Sequence, residues 1–237
     1  MQFVRRCLVL GLAAFALNVS AQQNVPQAGS EYQVLTQPQA VTPGNKIEVV
    51  QFFGYFCPAC NAFEPYLEEW IKKQGDRIVI KRVHSDMHEL VTQQKLYYTL
   101  ETMGIAEQIQ SKVFNAFHVQ RNRLSTDDEV MKFIATSGVD KNKFTSIYKS
   151  FTVVSKVNSG NQMIKAYKIN GVPTVAIDGR FIVSPGEVAA QGKIKSAGHP
   201  GLAVMDFLVE KARADRKIGT AAPAATPAAA AKAASKK

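Results

Sequence analysis

The stretch Phe-Phe-Gly-Tyr-Phe-Cys-Pro-Ala-Cys, residues 52–60, holds two cysteines where the sequence changes from strand-like to helix-like. Before it, Ile47–Phe53 is a near-continuous apolar run, which indicates a strand buried on both faces. After it, apolar residues recur at helical spacing from Pro58 to about Lys73. Cys57 therefore lies at the N-terminus of a predicted helix, where unpaired backbone N–H groups and the helix dipole favour a thiolate.

The spacing of the two cysteines suits redox chemistry. Two residues separate Cys57 from Cys60, so one helical turn brings the sulfurs within bonding distance, and the pair can cycle between a dithiol and a disulfide. Pro58 suits the first helical position, where its missing N–H would be unpaired anyway. The alternative is a zinc site, which needs about four N or S ligands. Only His84 and His88 lie near the pair in sequence, at a strand end, so no metal is predicted.

The N-terminal residues 1–21 have the pattern of a secretory signal peptide. Arg5 and Arg6 precede an apolar stretch and Val19-Ser20-Ala21, which has small residues at the positions that cleavage requires. A membrane anchor is the alternative, but the stretch is short for a span. Cleavage after Ala21 would leave two of the three cysteines, both in the Cys-x-x-Cys pair and free for chemistry.

The chain is basic, with a formal net charge of +10 that signal cleavage would lower to +8. Nucleic acid is the first partner to consider for such a chain. The positive charge is spread along the sequence, however, so a solvated basic surface is predicted and no nucleic-acid binding. Residues 217–237 consist almost entirely of Ala, Pro, Thr and Lys and are predicted to form a disordered tail.

The middle of the chain divides into an α/β part and a helical part. Residues 22–44 are predicted to be an extended lead-in with one edge strand at Tyr32–Leu35. Residues 45–85 form a strand–helix–strand unit with parallel strands, the second at Arg77–Val83. Residues 86–160 contain no good strand, and are predicted to be a helical insertion with helices at Leu90–Met103, Ile105–Phe117, Thr126–Thr136 and Asp140–Ser159.

Residues 161–216 return to the α/β part. The predicted elements are a helix from Gly160, a hairpin of Thr174–Ile177 and Arg180–Val183 around Asp178-Gly179, a loop at Ser184–His199 and a helix at Pro200–Arg213. The predicted fold class is therefore α/β, a domain interrupted by an all-helical insertion domain.

Two further features make this pattern resemble the thioredoxin fold: Pro65, five residues after Cys60, and Val172-Pro173 before the hairpin. The resemblance is narrowed to the DsbA-type periplasmic thiol oxidases by three features: the helical insertion, the sequence context of Phe52–Cys60 and the signal peptide. It covers nearly the whole chain except the tail. The resemblance implies a thiol–disulfide oxidoreductase that introduces disulfides into exported proteins and needs no cofactor besides its own redox-active disulfide.

The resemblance also implies partners. Unfolded exported proteins with free thiols would be the substrates, and a quinone-linked, DsbB-like protein of the inner membrane would reoxidise the enzyme, which is expected to be a monomer. The first alternative is a reductase or isomerase of the same fold, which usually needs a dimerisation module that the sequence does not show. The second is a non-catalytic envelope chaperone or adaptor.

The family's site residues transfer onto this sequence as follows. Cys57 would be the exposed nucleophile and Cys60 the shielded resolving thiol. Pro173 would follow a cis peptide bond and sit against the disulfide. Val172 would offer main-chain groups to an extended substrate peptide.

The aromatic residues around the cysteines are predicted to fall into two groups. Phe52 and Phe53 belong to the buried strand and are expected in the core. Tyr55 and Phe56 are expected to be exposed and to bind unfolded peptides. His118, far along the chain, has no recognisable partner and is predicted to be a surface or structural residue.

The chain departs from the family at Ala59, where members commonly carry histidine, and at Gln51, where a buried glutamate is usual. Without the imidazole, Cys57 should be a weaker acid and the disulfide a weaker oxidant. Glu64 and Lys81 match other polar positions of the family's buried charged cluster and are predicted as an alternative proton relay. The alternative for these two is a partly exposed ion pair of little consequence.

Overall fold

A five-stranded mixed sheet forms the centre of the molecule, in the order β1-β5-β4-β2-β3. The computed structural model describes residues 25–219, except the side chain of Glu89. The strands are β1 Gln33–Val34, β2 Ile47–Phe53, β3 Ile78–His84, β4 Thr174–Ile177 and β5 Phe181–Val183. The predicted signal peptide, and the predicted tail beyond Gly219, lie outside the described residues.

Eight α-helices surround the sheet in the described part of the chain. They are α1 Pro58–Gln74, α2 Val91–Thr102, α3 Ala106–His118, α4 Asp127–Ser137, α5 Lys141–Tyr148, α6 Phe151–Ala166, α7 Pro185–Gln191 and α8 Pro200–Asp215. Short 3-10 turns occupy Gly75–Arg77 and Met87–Glu89. Between Val25 and Gly219, no helix is both long enough and apolar enough to cross a membrane.

The predicted strand–helix–strand unit is confirmed. All seven residues of β2 are buried, and β2 pairs in parallel with β3. On its other side β2 pairs antiparallel with β4, with Phe52 opposite Thr174. The carboxyl end of β2 therefore lies beside the start of β4, which brings the Cys57 loop next to the Val172-Pro173 segment.

The helical insertion differs from the prediction at two points. The single helix predicted over Asp140–Ser159 is two helices, because Ser150 caps a new helix and its hydroxyl accepts a hydrogen bond from the N–H of Val153 (3.4 Å). The helix start predicted at Gly160 is also wrong, since α6 runs through it to Ala166. A Cβ at Gly160 would lie 2.0 Å from the Tyr98 hydroxyl oxygen, so this glycine allows α2 and α6 to pack closely.

The hairpin after the insertion is confirmed, but its second strand starts at Phe181 and three residues, not two, separate the paired strand ends Ile177 and Phe181. Asp178 and Gly179 in this connection both have positive φ, at 58° and 64°. The loop predicted over Ser184–His199 is only partly a loop. It contains α7, which starts at Pro185 and buries Val188 against the core. A proline is compatible with the first position of a helix, because its missing N–H would have no partner there.

Candidate active site

Cys57 is the N-cap residue of α1, and its sulfur accepts a hydrogen bond from the backbone N–H of Cys60 at 3.1 Å. Its own N–H donates to the carbonyl oxygen of Gly54 (3.1 Å), which closes the turn between β2 and the helix. Pro58 occupies the first helical position, and Pro58 and Ala59 are both exposed. The local sequence thus places the thiol where a helix N-terminus can stabilise its anion.

The two thiols differ in acidity. Both are free in this structure, with Cys57 7% exposed and Cys60 fully buried. A hydrogen bond from the Cys60 thiol and the N–H groups of Cys60 and Ala59 lower the pKa of Cys57 to about 7, although burial opposes them. Burial raises the pKa of Cys60, and the neighbouring Cys57 adds to this. Near neutral pH Cys57 is therefore partly ionised, whereas Cys60 keeps its proton.

The predicted docking residues meet Cys57. The Val172–Pro173 peptide bond is cis, as the resemblance implies, and the Val172 carbonyl oxygen accepts a hydrogen bond from the Cys57 thiol (3.4 Å). The Thr174 hydroxyl donates to the carbonyl of Gly171 (2.8 Å) and steadies the same segment. Cys57 is less exposed than predicted, because this segment covers its sulfur.

The prediction that Tyr55 is exposed is wrong. Its side chain is completely buried, packs edge-on against Phe53 and Phe114, and donates its hydroxyl to Gln110 Oε1 (3.1 Å). The reason is the helical insertion, whose helix α3 supplies the covering residues. Phe56 is half-buried beside Cys57, so of the two aromatic residues only Phe56 is available to a substrate.

A buried polar cluster contains Gln51 and Glu64 as predicted, but its cation is Arg82. Arg82 Nε donates to Gln51 Oε1 (2.8 Å) and Arg82 Nη2 to Glu64 Oε1 (3.0 Å). Gln51 Nε2 in turn donates to Glu64 Oε2 (3.0 Å). The prediction for Lys81 is wrong: its side chain is 46% exposed and pairs with Glu48 at 2.7 Å. Adjacent residues on a strand point to opposite faces, so only one of the two cations faces Glu64.

Burial and hydrogen bonding act on the pKa of Glu64 in opposite directions. Burial raises the pKa of Glu64, and Arg82 and the Gln51 amide counteract this only in part. Arg82 also makes a close contact with Glu68 and a 3.0 Å contact with Glu107, so its charge is shared. The charge of Glu64 contributes to the raised pKa of Cys60, which links the cluster electrostatically to the resolving thiol.

The histidines near the site have structural partners. His84 is fully buried; its Nε2 accepts from the N–H of Tyr55 (3.1 Å) and its Nδ1 donates to the carbonyl of Ser85 (2.9 Å). His118 Nε2 lies 2.9 Å from the Tyr55 carbonyl oxygen, a contact that no pattern in the sequence indicates. Across residues 25–219, no three His, Cys, Asp or Glu side chains are grouped so as to hold a metal ion.

His84 should make stability depend on pH. Burial lowers the pKa of His84 to about 4 from 6.5, so the unfolded chain binds a proton that the folded protein excludes. The contribution of neutral His84 to the free energy of unfolding is fully present above about pH 6.5 and is lost as the pH falls towards 4. Relative to a His84→Gln variant, which can accept and donate without titrating, the wild-type free energy of unfolding should fall by about 3 kcal/mol across this range. The free energy of unfolding is measured by urea titration at several pH values. If it changed with pH equally in the wild type and in His84→Gln, the lowered pKa of His84 would be contradicted.

Cys57 is a thiol activated at a helix N-terminus, and it lies next to a second thiol, Cys60, with which it can form a disulfide. This arrangement defines a thiol–disulfide oxidoreductase of the thioredoxin fold. The family model for the DSBA-like thioredoxin domain matches residues 48–191. The chain belongs to this family, and the predicted family and fold are confirmed.

Known proteins that match nearly the full length of this chain support the same family assignment. The chain is 41% identical over 214 residues to the thiol:disulfide interchange protein DsbA of Burkholderia cepacia, a match that covers 89% of this chain and 96% of the relative. It is 33% identical over 224 residues to the protein of the same name from Pseudomonas aeruginosa, covering 90% and 100%. The crystal structure of Pseudomonas aeruginosa DsbA superposes with a TM-score of 0.73, covering 81% of this chain and 97% of that one.

Proposed function

We propose that this protein introduces disulfide bonds into proteins exported to the periplasm, by exchange through Cys57 and Cys60. The observation that carries the proposal is the difference between the two thiols. The pKa of Cys57 is lowered to about 7, which makes it a good leaving group, whereas Cys60 is fully buried and has a raised pKa. Such a pair passes its disulfide readily to a substrate, and the mixed disulfide forms at Cys57 rather than at Cys60.

The exchange starts from the disulfide form. A substrate thiolate attacks the Cys57 sulfur, the bond between Cys57 and Cys60 breaks, and Cys60 leaves and takes up a proton. A second substrate thiolate then attacks the substrate sulfur of this mixed disulfide, and Cys57 leaves as the thiolate. The substrate gains a disulfide and the enzyme gains two electrons, which a quinone-linked, DsbB-like protein of the inner membrane would remove.

The polypeptide of the substrate is proposed to lie along Val172 and Pro173, with Phe56 as an apolar contact. The Val172 carbonyl, which now accepts from the Cys57 thiol, would accept from a substrate N–H once the thiol has reacted. Pro173 presents no N–H at this point, so it does not compete for the substrate's carbonyl groups. The enzyme is expected to work as a monomer.

The proton that Cys60 takes up is proposed to come from Glu64. Gln51 cannot titrate, and Lys81 faces away, so neither can supply the proton. Glu64 has a raised pKa and is held by Gln51 and by Arg82. A buried carboxyl group whose pKa is raised is better suited than an ordinary carboxylate to exchange a proton with the neighbouring thiol.

One redox titration with an oxidase assay tests the function. The protein should equilibrate with glutathione buffers through a single two-electron step and should oxidise a reduced, unfolded substrate, and Cys57→Ser should lose both properties. A reductase, or an isomerase with a lower reduction potential than an oxidase, would instead already hold its disulfide in reducing buffers in which an oxidase is still a dithiol. A chaperone or adaptor would keep its activity after replacement of both cysteines, and that result would overturn the proposal.

Ala59→His should make the protein a stronger oxidant. Ala59 lies exposed in the first turn of α1, so an imidazolium there would stabilise the Cys57 thiolate beyond what the helix N-terminus provides. We expect the pKa of Cys57 to fall by up to about one unit and the glutathione equilibrium to shift by up to about tenfold towards the dithiol. Ala59→Gln, of similar size but uncharged, is the control. Equal shifts in both variants would show that charge is not the cause.

A further inference from the structure

Each polar group of Tyr55 is held by a side chain from another part of the fold. Its N–H donates to His84 Nε2 (3.1 Å), its hydroxyl donates to Gln110 Oε1 (3.1 Å), and its carbonyl oxygen lies 2.9 Å from His118 Nε2. His84 ends strand β3, whereas Gln110 and His118 lie about two turns apart on α3. The segment that leads into Cys57 is thus fixed from the sheet and from the helical insertion together.

These contacts determine which ring nitrogen carries the hydrogen. A carbonyl oxygen can only accept, so Nε2 of His118 is the donor, whether the ring is neutral or charged. In His84 the opposite holds, because Nε2 accepts from Tyr55 and the hydrogen resides on Nδ1, facing the Ser85 carbonyl. The two histidines on either side of Tyr55 therefore have opposite tautomers.

The His118 contact bears on the position of the reactive thiol. Tyr55 is completely buried, and among residues 25–219 His118 is the only donor to its carbonyl oxygen. A buried carbonyl without a partner is costly, so the segment would move to find another donor if His118 were lost. Tyr55 lies inside the turn that the Cys57 N–H closes onto the Gly54 carbonyl, and the sulfur of the same Cys57 accepts from the Cys60 N–H at 3.1 Å.

We infer that His118 is a positioning residue for Cys57: by donating to the Tyr55 carbonyl, it holds the turn that places the thiol on the N-terminus of α1. The inference rests on the proposed exchange through Cys57 and adds that the helical insertion sets the reactivity of that thiol. His118 itself takes no part in the chemistry. Its ring packs against Phe114 of the same helix, with centroids 6.0 Å apart and planes 27° apart, which fixes the direction of Nε2.

Two variants of His118 distinguish the effect of its hydrogen bond to the Tyr55 carbonyl from the effect of its ring packing against Phe114. His118→Phe keeps a ring against Phe114 but has no N–H, whereas His118→Gln keeps an N–H at nearly the position of Nε2 but has no ring. The pKa of Cys57 is measured from thiolate absorbance against pH, and the redox equilibrium is measured with glutathione. We expect His118→Phe to raise the pKa of Cys57 and to shift the equilibrium towards the disulfide by roughly three- to tenfold, the effect of weakening one hydrogen bond to a thiolate. We expect His118→Gln to stay within about twofold of wild type.

The outcomes distinguish this inference from the proposed function. If the wild type exchanges with glutathione but His118→Phe matches it, or if both variants shift equally, the positioning role is wrong and the proposed function stands. If the wild type does not exchange at all, the proposed function fails first. Long-range nitrogen–proton NMR spectra of the wild type give a test that needs no variant, because a neutral His118 ring without hydrogen on Nε2 would also overturn the inference.

Discussion

Cys60→Ala should convert the protein from a catalyst into a trap. Without Cys60 the internal disulfide cannot form, so oxidation of a reduced substrate should fall by more than about a hundredfold. Cys57 keeps its place at the N-terminus of α1 and remains reactive, so it should form mixed disulfides with disulfide-containing peptides. These should persist, because within residues 25–219 no second thiol is present in the variant to resolve them. Non-reducing electrophoresis and mass spectrometry of the variant after incubation with an oxidised peptide would detect them.

Cys57→Ala is the matched control for this experiment. In the described part of the chain its remaining thiol is Cys60, which is fully buried and has a raised pKa, so few adducts should form. Alkylation of the reduced wild type should show the same order, with Cys57 modified first near neutral pH. Similar adduct yields in Cys57→Ala and Cys60→Ala would contradict the assignment of nucleophile and resolving thiol.

Arg82→Met should cause the largest loss of stability among single changes near the site. Arg82 and Glu64 are both buried, with side chains 5% and 9% exposed, and the arginine also satisfies the Gln51 carbonyl oxygen. Removing one member of a buried pair leaves the other charge uncompensated, which typically costs about 3–5 kcal/mol. Urea unfolding at neutral pH measures the loss directly.

Lys46→Met provides the control for Arg82→Met, because its ion pair with Asp76 is exposed on both sides. Water screens such exposed pairs, so they contribute little to stability. The loss in Arg82→Met should also shrink as the pH falls, since the Glu64 left behind can then take up a proton. A loss no larger than that of Lys46→Met, or one independent of pH, would show that Arg82 does not compensate a buried carboxylate.

The sequence by itself determined the parts of this protein that depend on neighbours along the chain. The strand before Cys57, the helix after it and the turn at Asp178-Gly179 each follow from local periodicity, proline placement or a need for positive φ. The position of the thiol at a helix N-terminus follows from the same local signals. The resemblance then supplied the cis peptide bond before Pro173, which the structure contains.

Only the tertiary structure decided which side chains meet from distant segments. The register of β2 against β3 sets Gln51 opposite Arg82, and the alternation along β3 directs Lys81 to the other face. Helix α3 buries Tyr55 and brings His118 to its carbonyl, although 63 residues separate the two in the chain. Local patterns carry no information on such pairs, because a side chain's exposure and partners depend on which elements pack together, and the energies of those contacts arise only once the chain has folded.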